Sequence, residues 1–403
     1  ALLVFLIFIK FSINHLKEYL FAILFLLIVA STKGFNGYHV VRNGDPESLL
    51  ILFTSIYFLS FFLLLEEYPI GRNKYLLLLG SSIFLATFSK SVAGIAPLAG
   101  IFVYALFQKK TYLLLKDYRF HITWLSVILL LATYYLIRNF YEPGYFQNSI
   151  LRELSLYKSF PYDPKHPEAT FYLTYLSKQA FFPYFYMLPL AIPAYFITQN
   201  KTIKRLFIYS FSASFFFILA HSSAITKNEW YIAPAYPFLW TLLALSLSVI
   251  FKSLVENKFS LHVAVKYALL VILIGGLSTI YYLNFKDIFK ENQTYKIWTY
   301  EPEREGDLLR KVKSKSTNHP DIVILSDQHP RQMLFYAKKY EFERGDRTVI
   351  LKNISDTIIG KKVLVCRPPL KKAIDTLYNF QKLDGDYYGN LLFIESKKIS
   401  PDK

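Results

Sequence analysis

Cysteine is nearly absent: Cys366 is the one thiol in 403 residues. That excludes an intrachain disulfide, a Cys-based zinc site and a thiol redox pair, and the apolar run before it reads Cys366 as a strand residue. Acidic side chains are also scarce, 29 against 46 Lys and Arg, which leaves a formal charge of +17. The bases are scattered between apolar segments, and no basic tract is interleaved with a recognition motif. The excess therefore points to membrane topology, and no nucleic-acid partner is expected. No Gly-rich phosphate loop follows any predicted strand, so no nucleotide site is expected. The opening stretch Ala1 to Ile9 has neither a charged region before it nor a small-residue cleavage site after it, and it does not resemble a signal peptide.

Apolar residues fill the space these absences leave. The chain is 53% hydrophobic and 18% aromatic, with a mean hydropathy of +0.28, which is too apolar for an ordinary soluble protein of this length. Ten apolar segments can be read: Ala1–Ile9, Tyr19–Ala30, Leu49–Leu65, Tyr75–Phe88, Val92–Phe107, Phe120–Ile137, Phe181–Ile197, Leu206–Ala220, Tyr231–Phe251 and Val263–Leu283. Nine residues cover about half of a hydrocarbon core, so the sequence is expected to start inside a transmembrane helix with an N-terminal piece missing. The fold expected is mainly α, a polytopic transmembrane bundle over 1–285, followed by a small external α/β domain over 286–403. In that domain strands are expected at Asp321–Leu325, Lys362–Cys366 and Leu391–Glu395, with helices at Pro330–Tyr340 and Leu370–Phe380.

The bases set the orientation. Lys10 and Lys17; Arg72 and Lys74; Lys109, Lys110, Lys116 and Arg119; Lys201, Lys204 and Arg205; and Lys252, Lys258 and Lys266 all fall in alternate links, which are read as cytoplasmic. The other side then receives the Arg42 region, Lys90, a long aromatic loop over 138–180, the segment His221 to Trp230, and everything after Leu283. The chain is thus expected to be an integral protein of a bacterial inner membrane with its C-terminal domain external.

Four stretches on that external side carry ionisable groups, which at a membrane boundary point to function. In Arg42-Asn43-Gly44-Asp45-Pro46-Glu47, an arginine beside two carboxylates suits an anion and a general base, or a divalent cation. The same residues also make a helix N-terminus, with Asp45 as cap, Pro46 in the first turn and Glu47 favoured by the dipole. Lys90, in the tight Ser89-Lys90-Ser91 hairpin, suits a phosphate held by a point charge, or else snorkels to headgroups. Lys227, followed by Trp230 and Tyr231, suits a phosphosugar, the rings alternatively forming an interfacial belt. The long loop carries Glu142, Arg152, Glu153, Asp163, His166 and Glu168. His166 with Glu168 is too thin a ligand set for a metal, and solvated surface is the favoured reading of this loop. No metal site is assigned and no cofactor is certain, a divalent cation being left open.

In order and on one predicted face, three of these stretches resemble motifs of the polyprenol-phosphate-sugar-dependent glycosyltransferases of the membrane GT-C class, the family of the protein mannosyltransferases and bacterial aminoarabinose transferase. Arg42 to Leu50 is similar to the pattern R-x-G-D-x-D-x-L-L. Phe88 to Gly94 is similar to the family's threonine-lysine-glycine-proline hairpin, and Thr226 to Pro234 to its T-K-x-x-x-Y-x-x-P segment. The resemblance covers Ala1 to Val255. It departs at Glu47, where Asp is commoner, and at Ser91, where Gly is. The family's acidic pair in the first external loop would precede Ala1.

The resemblance implies a GT-C-like fold and transfer of a sugar from a polyprenyl-phosphate donor to a lipid, glycan or protein acceptor, with membrane lipids around the site. It implies that Arg42, Lys90 and Lys227 hold the donor phosphate and that Asp45, Glu47 and Tyr231 support them. The catalytic residue itself, the base, would lie upstream of Ala1, and the 138–180 loop would close over the site. A secondary transporter is the rival reading, without the paired repeats such folds commonly show. An assembly subunit that docks through the C-terminal domain is a third.

Overall fold

The computed structural model describes residues 2–37, 40–41, 46–149, 168–256, 262–294, 309, 322–325, 331–345, 348–351, 353–365, 368–386 and 389–398. The chain divides into two units, Ala1–Phe289 and Lys290–Lys403.

The first unit is helical, as a chain in hydrocarbon must be when no water is present to satisfy its peptide groups. Its helices are α1 (Leu2–Phe11), α2 (Tyr19–Ser31), α3 (Glu47–Glu67), α4 (Arg72–Lys90), α5 (Leu98–Leu106), α6 (Lys109–Leu115), α7 (Tyr118–Tyr141), α8 (Phe171–Tyr175), α9 (Ala191–Ile197), α10 (Lys201–Ser222), α11 (Tyr236–Val255) and α12 (Val263–Thr294). Each of the ten apolar segments is helical. Among the described residues, six helices are long and apolar enough to cross a membrane alone, and up to eight spans result if each of two bent pairs counts as one.

The bent pairs refine the expected count. One bend lies just past the run Val92–Phe107: α5 and α6 meet at 106°, where Gln108, Lys109 and Lys110 interrupt the apolar stretch. The helical stretches Phe171–Ala180 and Tyr184–Ile197 meet at 107°, at Pro183, which has no N–H to continue a helical ladder.

The expected 138–180 loop is shorter than anticipated. α7 runs through Arg138 to Tyr141, and Glu142 N–H closes its last turn on Arg138 O at 2.8 Å. At the other end, Tyr172, Leu176 and Ala180 are buried at the four-residue spacing of a helical stripe. Residues 150–167, with Arg152, Glu153, Asp163 and His166, lie outside the described residues.

The core forms around α3 and α11. The apolar window of α3 is 72% buried and that of the helical run Glu229–Val255 is 78% buried, whereas in α7 the share is 6% and in the run Val263–Lys290 it is 0%. The first two are apolar all round and sit inside the bundle; the last two present their apolar surface outward, as a lipid-facing span does. α5 approaches α10 closely enough that Ser212 Oγ donates to Gly100 O at 2.8 Å. A Cβ on Gly100 would lie 2.4 Å from Ser212 O and 2.7 Å from Ala213 Cα, so this small residue sets the helix–helix distance.

Polar contacts gather the links into two ends. Glu66, at the C-terminal end of α3, meets Arg205 Nη2 at 2.5 Å and accepts at its backbone oxygen from Lys110 at 2.6 Å. Glu67 binds His15 at 2.6 Å and Tyr75 OH at 2.5 Å. Arg72 pairs with Asp117 at 2.9 Å, and Lys252 with Glu18 at 3.0 Å. These are the links that alternation of charge put on one side. Glu47 begins α3 roughly 30 Å away, at 1.5 Å per residue.

The second unit is a five-stranded sheet of β1 (Ile322–Leu325), β2 (Thr348–Leu351), β3 (Lys362–Val365), β4 (Tyr378–Asp386) and β5 (Gly389–Lys397), ordered β2-β1-β3-β5-β4. β1 is parallel to both β2 and β3, and β5 is antiparallel to β3 and β4. Helix α13 (Arg331–Arg344) buries Ala337 on one face with Ile322, Ile324 and Leu364. Helix α14 (Pro368–Leu377) buries Ile374 on the other with Val323, Leu325 and Val363. The two edge strands β2 and β4 were not expected. Tyr378 to Phe380, read as helix, opens β4, since Tyr378 and Phe380 pack on the sheet at strand spacing. Cys366 lies outside the described residues.

Gly100→Ala is expected to destabilise the folded protein by about 1–3 kcal/mol through overpacking, measured as a lowered thermal midpoint in detergent.

Candidate active site at one end of the bundle

Glu47 is the first residue of α3, Pro46 takes the cap position, and the first helical bond runs from Leu50 N–H to Pro46 O at 2.8 Å. A carboxylate there lies against the positive end of the helix dipole. Lys90 is the last residue of α4, where the negative end favours an ammonium. The antiparallel packing of α3 on α4 brings these termini together, and Lys90 Nζ forms a close ion pair with Glu47 Oε1. Glu47 is buried, at 3% exposure. Among the described residues, its second oxygen, Oε2, is buried without a hydrogen-bond partner. Such an atom in a folded protein needs an explanation, and an absent ligand is one. The Lys90 ammonium also lies 4.7 Å from the centre of the Tyr231 ring, a cation–π contact.

The hairpin that carries Lys90 is tightly built. Ser91 has φ 51°, a left-handed conformation that costs a non-glycine residue roughly 1–2 kcal/mol. This accounts for the glycine that the resembling family often has at the position. The Ser91 hydroxyl lies 2.9 Å from Tyr135 OH on α7. The turn Ser91–Gly94 then folds back on α4 so closely that a Cβ on Gly94 would sit 2.3 Å from the Ala86 carbonyl carbon and 2.4 Å from the Thr87 nitrogen. Tyr57 OH donates to Gly94 O at 3.3 Å.

Lys227 stands between α10 and the 3₁₀ turn Glu229–Ala235, and it is completely buried. Burial pulls its pKa down, with the Glu168 carboxylate acting in the opposite direction. The neighbouring Asn228 accepts at its backbone oxygen from Tyr172 OH at 3.2 Å, which ties this segment to α8. Tyr231, four residues on in the chain, is the ring under Lys90.

Of the residues singled out from sequence, then, Glu47, Lys90 and Tyr231 are in mutual contact through Lys90, and Lys227 is on the segment that delivers Tyr231. Arg42 and Asp45 lie outside the described residues. Sequence reasoning missed Tyr57, Tyr135 and Tyr172, which hold the two lysine-bearing segments in place; a tyrosine in an apolar helix carries no signal of a partner 37 to 56 positions away. Among the described residues, no three His, Cys, Asp or Glu side chains cluster as a metal site would require.

Ser91→Gly is expected to raise the thermal midpoint or leave it unchanged, because glycine relieves the left-handed strain as the Tyr135 hydrogen bond is lost. Ser91→Val should lower it clearly, since a β-branched residue tolerates that φ worst.

Two solved structures share this fold. One is that of the aminoarabinose transferase ArnT from Cupriavidus metallidurans in the apo state, with a TM-score of 0.58 at 13% identity, covering 93% of this chain and 78% of that one. The other is ArnT from the same organism bound to undecaprenyl phosphate, with a TM-score of 0.55 at 14% identity, covering 93% and 83%. The GT-C-like fold that the three motifs implied is therefore the fold observed. No family model matches the chain, and no curated protein matches it.

Proposed function

We propose that this protein is a membrane glycosyltransferase that moves a sugar from a polyprenyl-phosphate donor to a hydroxyl or phosphate of a lipid, glycan or protein acceptor. The observation that carries this reading is the ion pair of buried Glu47 with partly buried Lys90 against the Tyr231 ring, where two helix ends meet. ArnT, which shares the fold, has a structure bound to undecaprenyl phosphate, and this supports a polyprenyl phosphate as the donor carrier.

In such a transfer, the acceptor oxygen attacks the anomeric carbon and gives up its proton to a general base while the bond from that carbon to the phosphate oxygen breaks. Negative charge then grows on the departing phosphate. A cation preset at that point stabilises the transition state more than the ground state. Lys90 supplies it, as a compact, partly buried charge aimed by Glu47. Glu47 orients the ammonium, and its unpartnered Oε2 is placed to accept a hydrogen bond from a hydroxyl of the sugar or acceptor. Lys227 and Arg42 add positive charge for the phosphate, and Asp45 supports them. The Tyr231 ring confines Lys90 from one side. The end of the bundle that holds Lys90 faces the exterior of a bacterial inner membrane, as the distribution of bases implies, and the C-terminal unit lies on that side.

Replacement of Lys90 by alanine in the full-length protein is expected to lower the rate of transfer from a lipid-linked donor by roughly 100- to 1000-fold, the scale of losing one preset charge-stabilising group. A thermal midpoint within a few degrees of the parent would show that the fold survives. Undiminished transfer would remove Lys90 from the site.

The buried state of Lys227 sets a pH dependence. Because its pKa is depressed, the ammonium is lost as pH rises through a value below the roughly 10.4 of a free lysine. Donor binding through it then weakens on the alkaline side earlier than for an exposed lysine. In the Lys227→Arg variant that alkaline limb of kcat/KM should move beyond the accessible range, arginine remaining charged; a limb left in place would assign it to another group.

A further inference from the structure

The second unit carries a surface that sugar transfer does not call on. Helix α13 turns Ala337 and Tyr340 inward, both buried. At 100° per residue, the opposite side of the helix falls to Phe335 and Phe342, with Lys338 on one flank and Lys339 on the other. Phe342 is 93% exposed, Phe335 64% and Leu334 47%. The same side chains line one shallow concavity. Two phenyl rings at the crest of a helix, bracketed by lysines whose stems are apolar and whose tips are cationic, match the chemistry of a lipid headgroup boundary.

Two further observations favour a bilayer over a protein partner. The first is charge. Lys338 and Lys339 stand nearer the exposed crest of this helix than Glu341 and Glu343 do, at 100° per residue. The lysine contacts to those glutamates, Lys338 to Glu341 at 2.6 Å and Lys339 to Glu343 at 3.8 Å, are exposed pairs that cost little to exchange for lipid phosphates. The second is the chain itself. The apolar span Val263–Lys290 precedes this unit, and β1 begins at Ile322. The intervening stretch reaches at most roughly 100 Å when fully extended, so the unit is tethered to a membrane, which raises its local concentration at the lipid surface.

We propose that α13 docks on an anionic membrane surface, Phe342 and Phe335 entering the headgroup–acyl boundary and Lys338 and Lys339 contacting lipid phosphates. Docking there would hold the sheet against the bilayer independently of any transfer chemistry.

The test places a photoreactive benzoyl-phenylalanine at position 342 of the full-length protein, an exposed site where the probe leaves the core untouched. The protein is set in nanodiscs of phosphatidylethanolamine and phosphatidylglycerol, or of phosphatidylcholine alone. A lipid adduct on the peptide containing position 342 is expected in the anionic discs. The same probe at Thr376, on α14 across the sheet, should give none. The double replacement Lys338→Glu/Lys339→Glu should reduce the adduct at least about fivefold, the factor that follows from losing the attraction of one basic side chain to such a surface. Attachment of the probe at 342 to protein alone, whether a second copy or another partner, would overturn the proposal. So would equal lipid adducts from 342 and Thr376, or a yield that charge reversal leaves unchanged.

Discussion

The ion pair between Glu47 and Lys90 fixes the geometry on which the site depends. Taking a carboxylate and an ammonium out of water costs several kcal/mol each, so the pair is not there to make the bundle stable. It is tolerated because each partner sits at the helix end whose dipole suits it, Glu47 opening α3 and Lys90 closing α4. The Tyr231 ring adds an attraction that needs no further hydrogen bond. A single cation is thereby fixed at the membrane boundary before any ligand arrives. That is the condition under which a charge helps a reaction most, because no reorganisation is required at the moment it is used.

Neighbouring structure protects this arrangement by close backbone packing, hydrogen bonds and an exposed ion pair. The hairpin after Lys90 stays narrow because Gly94 allows it to lie on α4, and Ser91 accepts a left-handed backbone while its hydroxyl meets Tyr135. On the far side, Asn36 Nδ2 donates to the carbonyls of Val29, Ala30 and Thr32 at 3.0 to 3.2 Å, satisfying the end of α2. Gly34 N–H donates to Ala180 O at 2.9 Å, which joins the chain after α2 to the bent stretch that follows α8. Lys33 reaches Asp287 at 2.6 Å, and Asn284 Nδ2 reaches Phe182 O at 3.1 Å, so the last span is tied to the same end. The opposite end is held differently, by ion pairs of Glu18, Glu66, Glu67 and Asp117 with the basic links. Among the described residues, one end is pinned by four ion pairs, and the other centres on the pair of Glu47 with Lys90.

Much of this was legible in the residues. Runs of apolar side chains determine helices in a membrane because no other open-chain structure satisfies its own backbone there, and all ten runs are helical. The alternation of bases sorted the links correctly into two ends because each helix reverses the chain direction. Three short motifs located Glu47, Lys90, Lys227 and Tyr231. What failed was local. Segment 171–180 looked like loop because its aromatics mask the Tyr172, Leu176 and Ala180 stripe, and the edge strand β4 lacks the apolar density of β1 and β3, having a neighbour on one side only.

By itself the sequence determined that this chain is a membrane bundle followed by a charged α/β unit, and which of its links share an end. Those follow from hydropathy, period and charge, all of which are sums over neighbouring residues. Only the tertiary structure decided that Lys90 closes on Glu47 and Tyr231, that Ser91 and Gly94 shape the turn between them with Tyr135 and Tyr57, and that Lys227 is buried. Those contacts join positions 37 to 141 apart in the chain, and they exist because helix ends meet when α3, α4, α7 and α11 pack, a relation that no run of adjacent residues encodes.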